Sequence, residues 1–550
     1  MTAPAVLTGQ AADAPRRGAG LAGTLELARL ALRRDRIMLP AWVYVLTGSA
    51  AEVAFSLRDL YPTAARREAL AATVGPNPAL AFLYGQLHGT SAGALATWRY
   101  LVYSSLGAGA MSIFLVIRHT RADEQAGRLE LARSAAVGRH APLTAALAVA
   151  AAANVVLAVL IAVVLAALRL PAAPAAAYGL ATAGCGLVLA GVAAVTAQLS
   201  GTPRAARGLA LAVLGAAFVL RGAGDSAGAR GPQWLTWLSP VGWAEQVRPF
   251  GGDRWAVLAL LAATTAALVV LAYWLAAHRD LGAGLVPPRP GPPAAGASLR
   301  GPGGLAWRLQ RGSLLGWALA LLAAGIAIGA AAKGIGALLS TSTSLRTAIE
   351  RAAGQSALTN AYLAAIMSLA GLAAAGYAVS AVLRLHAEED AGLAQTVLAT
   401  PTGRVRWAAG HLLVALGGTT VVLLAAGTGA GLGYGLRAGG TGTQVARLAG
   451  AAIAQLPAAL VLGAIAVALF GLLPRAAVPA SWTIFGIAAL LPVLGAAARL
   501  PQWLLDLSPL SHAPRLPGGP LRAAPLLWLS AAALALTAAG LATLRHRDLT

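Results

Sequence analysis

Two copies of a charged segment contain the residues of this chain most able to do chemistry. The first copy, IRHTRADEQAGRLELARSAAVGRH, spans residues 117–140, and the second, LRLHAEEDAGLAQTVLATPTGR, spans residues 383–404. Position 123 of the first copy corresponds to position 388 of the second, 265 positions later. Long apolar runs flank both copies, and a polar segment of this length between apolar spans must lie in water. We therefore predict two cytoplasmic loops that each contact a partner.

Acidic side chains are concentrated in both copies. They could be paired catalytic carboxylates, but no nucleophile, metal-ligand set or sugar-binding pattern surrounds them, so we predict neither a catalytic residue nor a metal site. Two interpretations stay open: solvated acids paired with neighbouring arginines, or a short helix whose charged face docks on a motor subunit and transmits its movement to two spans. The repetition favours the second. The acids concerned are Asp123, Glu124, Glu130, Glu388, Glu389 and Asp390.

The composition indicates what kind of element must hold these loops. The chain has 550 residues, 58% of them hydrophobic and 11% charged, with a mean hydropathy of +0.71, whereas a soluble domain is about 25% charged. This composition predicts a polytopic membrane protein. The net charge of +22 could suggest a nucleic-acid partner, but the arginines cluster at the ends of apolar runs, where they anchor helices. We predict no nucleic-acid binding. Cys185, the single cysteine, is interpreted as a small core residue.

The apolar runs predict an all-α fold of twelve spans in two halves of six. The first half contains spans at 38–57, 98–118, 141–168, 176–200, 205–221 and 255–277. The second half contains spans at 313–332, 363–383, 407–434, 447–470, 476–498 and 523–544. An even number of spans per half makes the two six-helix repeats parallel and places both termini in the cytoplasm. The predicted domains are 1–281 and 305–550, joined by a Pro/Gly-rich cytoplasmic linker at 282–304.

Shorter segments repeat as well. His-Arg-Asp-Leu closes both halves, at 278–281 and 546–549, and is interpreted as a basic anchor at the cytoplasmic face. Segments rich in proline and glycine, from Trp237 and from Leu504, precede the sixth and twelfth spans and predict ordered external loops or re-entrant turns. The segment between the first two spans predicts external helices. Residues 21–32 predict either a helix lying in the membrane interface or the plain basic flank of the first span.

The source of energy is constrained by what the sequence lacks. Lys333, the single lysine, is followed by Gly334 rather than by Ser or Thr, so the chain has no P-loop and any ATP hydrolysis must occur in another polypeptide. Glu52 and His411 lie close enough to an interface to be solvated, and a charge at the bilayer centre costs at least ~2.5 kcal/mol. The lack of a deeply placed carboxylate argues against a proton-driven antiporter. The outer-loop acids are interpreted as scattered: Asp225, Glu245, Asp253 and Asp506.

Aromatic and methionine side chains in spans 2, 5, 8 and 11 could line a path for large apolar substrates, because such side chains adapt their shape and bury much area. Ordinary helix packing is the alternative interpretation. The residues concerned are Met111, Phe114, Phe218, Met367, Tyr377, Trp482 and Phe485.

The chain resembles the permease subunits of type-2 ABC exporters, in particular the fused, double-length actinobacterial group described as exporters of polyketide antibiotics. The resemblance covers nearly the whole chain. It lies in Arg118, His119, Thr120, Arg121, Glu124, Gly127, Arg128, Glu130, Leu131, Gly138 and Arg139, and in WLSPVGWAEQVRPF at 237–250, RDLGAGLVPPRPGPP at 279–293 and WRLQRGSLLGW at 307–317. The second half departs from this pattern, because Gln395 stands where the first half has Glu130 and SPLSHAPRLP replaces SPVGWAEQVRP.

The resemblance implies a multi-pass protein of the bacterial plasma membrane that exports drugs or antibiotics. Two copies of a separate ABC ATPase, which bind ATP and Mg²⁺, would dock on coupling helices carrying Glu124 and Glu389, and this chain would hold no cofactor. The alternatives are a proton-coupled antiporter, an exporter of a lipid or cell-wall precursor, and a membrane enzyme such as a lipid-linked sugar transferase. The positions assigned to coupling are Asp123, Glu124, Gly127, Glu130, Glu388, Glu389, Gly392 and Gln395.

Overall fold

A computed structural model describes most of the chain. The described residues are 19–128, 137–227, 231–280, 282–286, 294, 296, 299, 301–339, 354–498 and 501–547. The chain divides into two compact units, Met1–Pro290 and Gly291–Thr550. The first unit contains all six spans predicted for the first half, and the second unit contains the other six.

The first unit is built from ten main helices within the described residues. They are α1 (Thr24–Arg34), α2 (Met38–Leu60), α3 (Ala64–Val74), α4 (Pro78–Tyr84), α5 (Ala92–Ile117), α6 (Ala141–Ala167), α7 (Ala172–Leu199), α8 (Pro203–Ser226), α9 (Pro240–Gln246) and α10 (Ala256–Ala277). α7 lies at the centre and packs against α5, α6 and α10. α1 covers the residues for which the sequence predicted an interfacial helix or a basic flank.

The second unit is helical in the same way. Its main described helices are α11 (Pro302–Leu339), α12 (Gly354–Val382), α13 (Arg384–Asp390), α14 (Leu393–Leu398), α15 (Arg404–Ala438), α16 (Thr441–Ile453), α17 (Leu456–Leu472), α18 (Ala477–Ala498), α19 (Gln502–Leu505) and α20 (Ala523–His546). Its closest helix pair is α11 and α15, where a Cβ added at Gly329 or Gly433 would lie 2.2 or 2.0 Å from a backbone oxygen of the other helix. Small residues allow such backbone contact in membranes.

Twelve helices of the described residues are long and apolar enough to cross a membrane. This finding confirms the predicted all-α polytopic fold, and the twelve coincide in order with the twelve predicted spans. Alanine and leucine favour helix, and in lipid a helix satisfies all of its own backbone hydrogen bonds. Cys185 is buried, as predicted.

Two spans extend further than the apolar pattern predicted. The second runs from Ala92 to Gln125 and the eighth from Thr359 to Asp390, whereas the sequence placed their ends at 118 and 383. The charged residues beyond those positions continue the helices, because a π-helical turn at Arg118–Ala122 joins α5 to a helical segment at Asp123–Gln125. The first acidic segment therefore lies on the end of a spanning helix.

The connections at the opposite ends of these helices contain the predicted external helices and turns. α3 and α4 form between the first two spans, and α9 lies within the segment from Trp237. α9 is short and deeply buried, with Val241 and Ala244 almost inaccessible, and it packs against α5, α7, α8 and α10. Most of the equivalent first connection of the second half, 340–353, lies outside the described residues.

Candidate coupling site at the ends of two long helices

Glu124 joins two parts of the first unit. Its carboxylate accepts hydrogen bonds from both terminal nitrogens of Arg279, at 2.9 and 3.0 Å. Arg121 donates a further bond at 2.9 Å, and the backbone N–H of Gly282 donates one at 2.7 Å. Bidentate charge-assisted pairs of this kind are stronger than hydrogen bonds between neutral groups. Glu124 therefore fastens the end of the second span to the residues that follow the sixth.

Asp123 makes the corresponding contact with the amino-terminal helix. Arg34, the last residue of α1, donates to Asp123 at 2.7 Å, and Arg128 donates to it at 3.0 Å. The hydrogen bond to Asp123 raises the pKa of Arg34 further above its ordinary value. Next to this pair, His119 Nε2 lies 2.5 Å from the fully buried carboxylate of Asp35. The Arg34–Asp123 and Arg118–Asp35 ion pairs, with the His119–Asp35 hydrogen bond, thus hold α1 against the acidic end of the second span.

The second unit repeats the arrangement with fewer contacts. Glu389 pairs with Arg547 just beyond α20, and Arg547 also donates to the backbone oxygen of Phe470 at 2.5 Å. Glu388 pairs with Arg384 at 3.2 Å and with His411 Nε2 at 3.2 Å. Glu389 therefore corresponds to Glu124, but among the described residues it has one arginine partner where Glu124 has two.

His411 corrects one sequence prediction. The sequence placed it close enough to an interface to be solvated, whereas it is only 1% exposed. Its Nδ1 lies 3.0 Å from Gln310 Nε2, and its Nε2 faces Glu388. The prediction was wrong because the extended eighth span brings Glu388 onto α15, which encloses the imidazole.

The repeated His-Arg-Asp segments supply the arginines of both sites. Arg279 is separated from Glu124 by 155 residues, and Arg547 from Glu389 by 158. The sequence interpreted these arginines as basic anchors and did not pair them with the acids. The sequence does contain a signal for this pairing. In both halves the His-Arg-Asp segment follows the acidic segment at nearly the same distance, 155 and 158 residues.

Gly127 and Gly392 end the two acidic segments in the same way. Their φ angles are +70° and +68°, and their N–H groups bond to the backbone oxygens of Glu124 and Glu389, at 3.1 and 2.9 Å. A glycine with positive φ is the usual helix stop. The two repeated glycines therefore set where each acidic segment turns away from its helix.

We expect alanine at either glycine to destabilise this turn by about 1 kcal/mol, because L residues avoid the left-handed region. Since nothing lies within 4 Å of a Cβ added at Gly127 or Gly392, the penalty is conformational and not steric. Asn, which tolerates this region, should cost less than Ala. Thermal unfolding of the purified Gly127→Ala and Gly127→Asn variants tests this, and equal losses for both would contradict it.

The two ends also carry residues that make no buried ion pair. Gln125 and Ala126 are exposed at the first end, and Asp390, Leu393 and Gln395 at the second. Glu130, which the sequence also assigned to coupling, lies outside the described residues. We name the exposed residues the tips: Gln125, Ala126, Asp390, Leu393 and Gln395. The coupling role of all eight assigned positions stays a prediction.

A cavity of about 540 Å³ opens beside the Glu124–Arg279 pair. Its lining residues come from the second to fourth spans, from the end of the sixth, and from the segment before α6. They include Thr120, Val137, Arg139, His140, Gln198 and Asp280. Both charge signs are present in this lining, and within the described ranges no group of three His, Cys, Asp or Glu side chains could hold a metal ion.

The predicted substrate-path residues lie in or against the helix cores. Met111, Met367 and Tyr377 are at most 2% exposed. The four others are partly buried or exposed and pack in aromatic pairs: Phe114 with Trp42, Phe218 with Phe82, and Trp482 with Phe485. Trp482 is 41% exposed. Their role in a transport path stays a prediction.

One group of acids that the sequence treated as scattered is a cluster. Asp225 and Glu245 both face Arg221, with Nη1–Oδ2 and Nη1–Oε2 distances of 3.3 and 3.9 Å. All three side chains are at most 5% exposed. We call Arg221, Asp225 and Glu245 the Arg221 cluster. The scattering prediction was wrong for this pair because the buried α9 returns Glu245 to the end of α8.

His88, close to the Arg221 cluster, gives a pH dependence that can be measured. Burial, with the nearby Arg248 and Arg254, lowers the pKa of His88 from 6.5 to about 4. Between pH 6.5 and 4 the unfolded chain binds a proton at His88 and the folded chain does not. The free energy of unfolding therefore falls as the pH drops from 6.5 towards 4. We expect the melting temperature to fall over that window less in His88→Asn than in the native chain. The exposed His546→Asn serves as the control, and identical profiles for the native chain and His88→Asn would contradict the prediction.

Comparison with known proteins agrees with this architecture. The family model described as multidrug efflux system permease Rv1217c, C-terminal domain, matches residues 28–279 and 299–545. The multidrug efflux system permease protein Rv1217c of Mycobacterium tuberculosis (strain ATCC 25618 / H37Rv) is 45% identical over 536 residues, which cover 97% of each chain. The matched segments contain both acidic ends, Arg279 and the Arg221 cluster. On these grounds the chain belongs to the multidrug efflux system permease family.

Proposed function

We propose that this chain is the membrane subunit of an ATP-driven exporter of bulky amphipathic compounds. The 45% identical relative is named a multidrug efflux system permease, and the sequence contains no P-loop of its own. Two copies of a separate ABC ATPase would bind ATP and Mg²⁺ and act on the acidic ends of the second and eighth spans. Both termini would lie in the cytoplasm.

The observation that carries this proposal is the repeated link between the ends of two spans. Glu124 bonds to Arg279, and Glu389 bonds to Arg547. A force on either acidic end would therefore move the second span with the sixth, or the eighth span with the twelfth. The link engages both oxygens of Glu124 and one oxygen of Glu389, and both side chains are at most 9% exposed. These two side chains would therefore position the coupling segment and leave partner contact to the tips.

The tips have the exposure that such a contact needs. Asp390 has a side chain that is 66% exposed, and Leu393 is 51% exposed. Leu393 thus presents an apolar side chain, and Asp390 a charged one, that a docked ATPase would cover. In the proposed cycle, closure of the ATPase on ATP would push on both tips, and the substrate would bias the equilibrium only through its different affinity for the two states.

The test adds a positive charge at a tip without touching the ion pairs. The chain is purified with candidate ATPase subunits, and substrate-stimulated ATP hydrolysis and export are compared for the native chain and for Ala126→Arg. We expect Ala126→Arg to assemble poorly and to lose most of the stimulation, with an unchanged melting temperature of the chain alone. The matched control is Ala72→Arg on α3, which is equally exposed and would retain stimulation.

Proton-coupled antiport is the second candidate, and the Arg221 cluster is the observation that favours it. The sequence argument against this mechanism relied on the lack of a buried carboxylate, and the cluster contains two. Export that persists without any ATPase and follows an imposed proton gradient would replace the first proposal with this one. Export that requires ATP and an ATPase subunit would support the first.

A further inference from the structure

The Arg221 cluster has one more buried acid than buried base. Arg221 is fully buried and donates to the backbone oxygens of Ala81 and Phe82, at 3.2 and 2.8 Å, as well as to Asp225. Both carboxyl groups face the same nitrogen of this guanidinium. Full ionisation of all three groups would therefore leave a net negative charge in a site almost closed to water, which is costly.

The hydrogen bonds show which oxygen can carry a proton. Asp225 Oδ1 accepts a bond from the Thr236 hydroxyl at 2.8 Å, and Oδ2 accepts one from Arg221. Glu245 Oε1 accepts a bond from the backbone N–H of Gln86 at 2.6 Å. Glu245 Oε2 is buried, accepts no hydrogen bond and lies beside the Asp225 carboxyl group. A carboxylate oxygen left in that state is unfavourable, whereas a protonated Oε2 is neutral.

Arg248 is the further cation that interacts with Glu245, but its guanidinium donates to Gln246 Oε1 and forms no ion pair with either acid within the described residues. The titratable groups around Glu245 are Arg221 and Asp225 on α8, Arg99 and Tyr103 on α5, Tyr84 on α4, and His88, Arg248 and Arg254 in the adjoining connections. Burial, and then the Asp225 carboxylate, raise the pKa of Glu245 well above its ordinary value of 4.5. Ionisation of both carboxyl groups is unfavourable when they lie close together in a site almost closed to water.

A small cavity lies next to Glu245. Glu245 lines it together with Tyr84, Gln86, His88 and Arg248, and its volume is about 10 Å³. A polar cavity near this size is the smallest that holds one water molecule. A water molecule at this position would lie beside the Glu245 carboxyl group and so give its proton an acceptor.

The cluster also depends on four chain segments remaining together. Arg221 and Asp225 lie on α8, Glu245 on α9, Thr236 in the turn between them, and the backbone of Ala81, Phe82 and Gln86 in and after α4. Separation of α9 from the end of α8 would admit water to both carboxyl groups. Hydration favours their ionised forms, so the site would lose its proton on opening.

We propose that Glu245 and Asp225 bind one exchangeable proton between them, and that this end of the first unit releases the proton when α9 separates from α8. The second half of this inference rests on the proposed function, because the separation is taken to occur in the transport cycle. In the closed form the proton is on Glu245 Oε2, and Asp225 pairs with Arg221. In the open form both acids are ionised.

Infrared spectroscopy of the purified full-length chain tests the proton site without any partner. A protonated carboxyl group gives a carbonyl-stretch band that an ionised one lacks. We expect such a band at pH 7, absent in Glu245→Gln and unchanged in Glu68→Gln, which removes an exposed acid of α3. A band at pH 7 that Glu245→Gln leaves intact, or no band at pH 7 in the native chain, would overturn the inference.

A second variant separates shared protonation from simple burial of Glu245. In Asp225→Asn the charges of Arg221 and Glu245 balance one to one, so we expect the Glu245 band to disappear at pH 7 even though Glu245 is present. Persistence of the band at the native intensity would show that Asp225 has no part in holding the proton. A melting temperature for each variant shows that the chain is folded.

The release step is tested on the complex with its ATPase, by comparing spectra before and after trapping with a non-hydrolysable ATP analogue. Loss of the Glu245 band on trapping supports release, and an unchanged band in a trapped complex overturns it. If no ATPase assembles with the chain, the proposed function fails while the proton site, measured on the chain alone, stands or falls by itself.

Discussion

Replacing Glu124 with Gln should destabilise the chain more than replacing Glu389 with Gln. Glu124 accepts bonds from Arg121, Arg279 and the backbone N–H of Gly282, whereas the described partner of Glu389 is Arg547. Removing one charge from a buried ion pair lowers the free energy of unfolding by about 3–5 kcal/mol. Glu124 makes more such contacts than Glu389, so its replacement should cost more. We expect a lower melting temperature for Glu124→Gln and the greater loss of ATP-dependent export.

A double-mutant cycle shows whether the second pair acts as a unit. Glu389→Gln, Arg547→Gln and the combined variant are compared in melting temperature and export. Because Arg547 also bonds to the Phe470 backbone, Arg547→Gln should be the more damaging single change. The combined variant should then be no worse than Arg547→Gln alone. Strictly additive losses would mean that the two side chains do not interact, and equal losses for Glu124→Gln and Glu389→Gln would contradict the predicted order.

Replacing Arg221 with Met should have the largest effect on stability. The side chain is fully buried beside Asp225 and Glu245, and methionine would fill much of its volume while leaving both acids without a cation. Removing the cation from a buried ionic group typically lowers the free energy of unfolding by about 3–5 kcal/mol. We expect little folded protein, or a melting temperature far below that of the native chain, as measured on the purified full-length chain in detergent.

A matched triple variant keeps this prediction interpretable. Arg221→Met combined with Asp225→Asn and Glu245→Gln replaces all three ionisable side chains, and replacing a whole buried ionic group by neutral residues is often nearly neutral in stability. The triple variant should therefore recover most of the loss. If it is as unstable as Arg221→Met alone, the bonds from Arg221 to the Ala81 and Phe82 backbone oxygens outweigh the charge balance.

Several features of the site were predictable from the chain because they depend on local pattern. The apolar runs predicted twelve spans in the correct order, since a membrane helix must be apolar over its whole length. The repeat predicted that Asp123 and Glu388 occupy equivalent places. Their backbone positions do correspond, because each lies at the end of a long spanning helix, a few residues before a glycine with positive φ.

Other features depend on distances between segments that are remote in sequence. The arginine at 279 was interpreted as a headgroup anchor, and its bond to Glu124 crosses 155 positions. Asp225 and Glu245 were interpreted as scattered, because hydropathy does not reveal that α9 turns back into the helix bundle. His411 was interpreted as solvated for the same reason, since its burial arises from the extended eighth span.

The sequence by itself determined the class of protein, the number and order of the spans, the internal repeat and the lack of a P-loop. These properties follow from residue types read along the chain. Only the tertiary structure decided which acids are paired, which residues form the exposed tips and where a buried carboxylate lies. The reason is physical: a charge is stabilised by whatever lies within a few ångströms of it, and helix packing brings those neighbours together from anywhere in the unit.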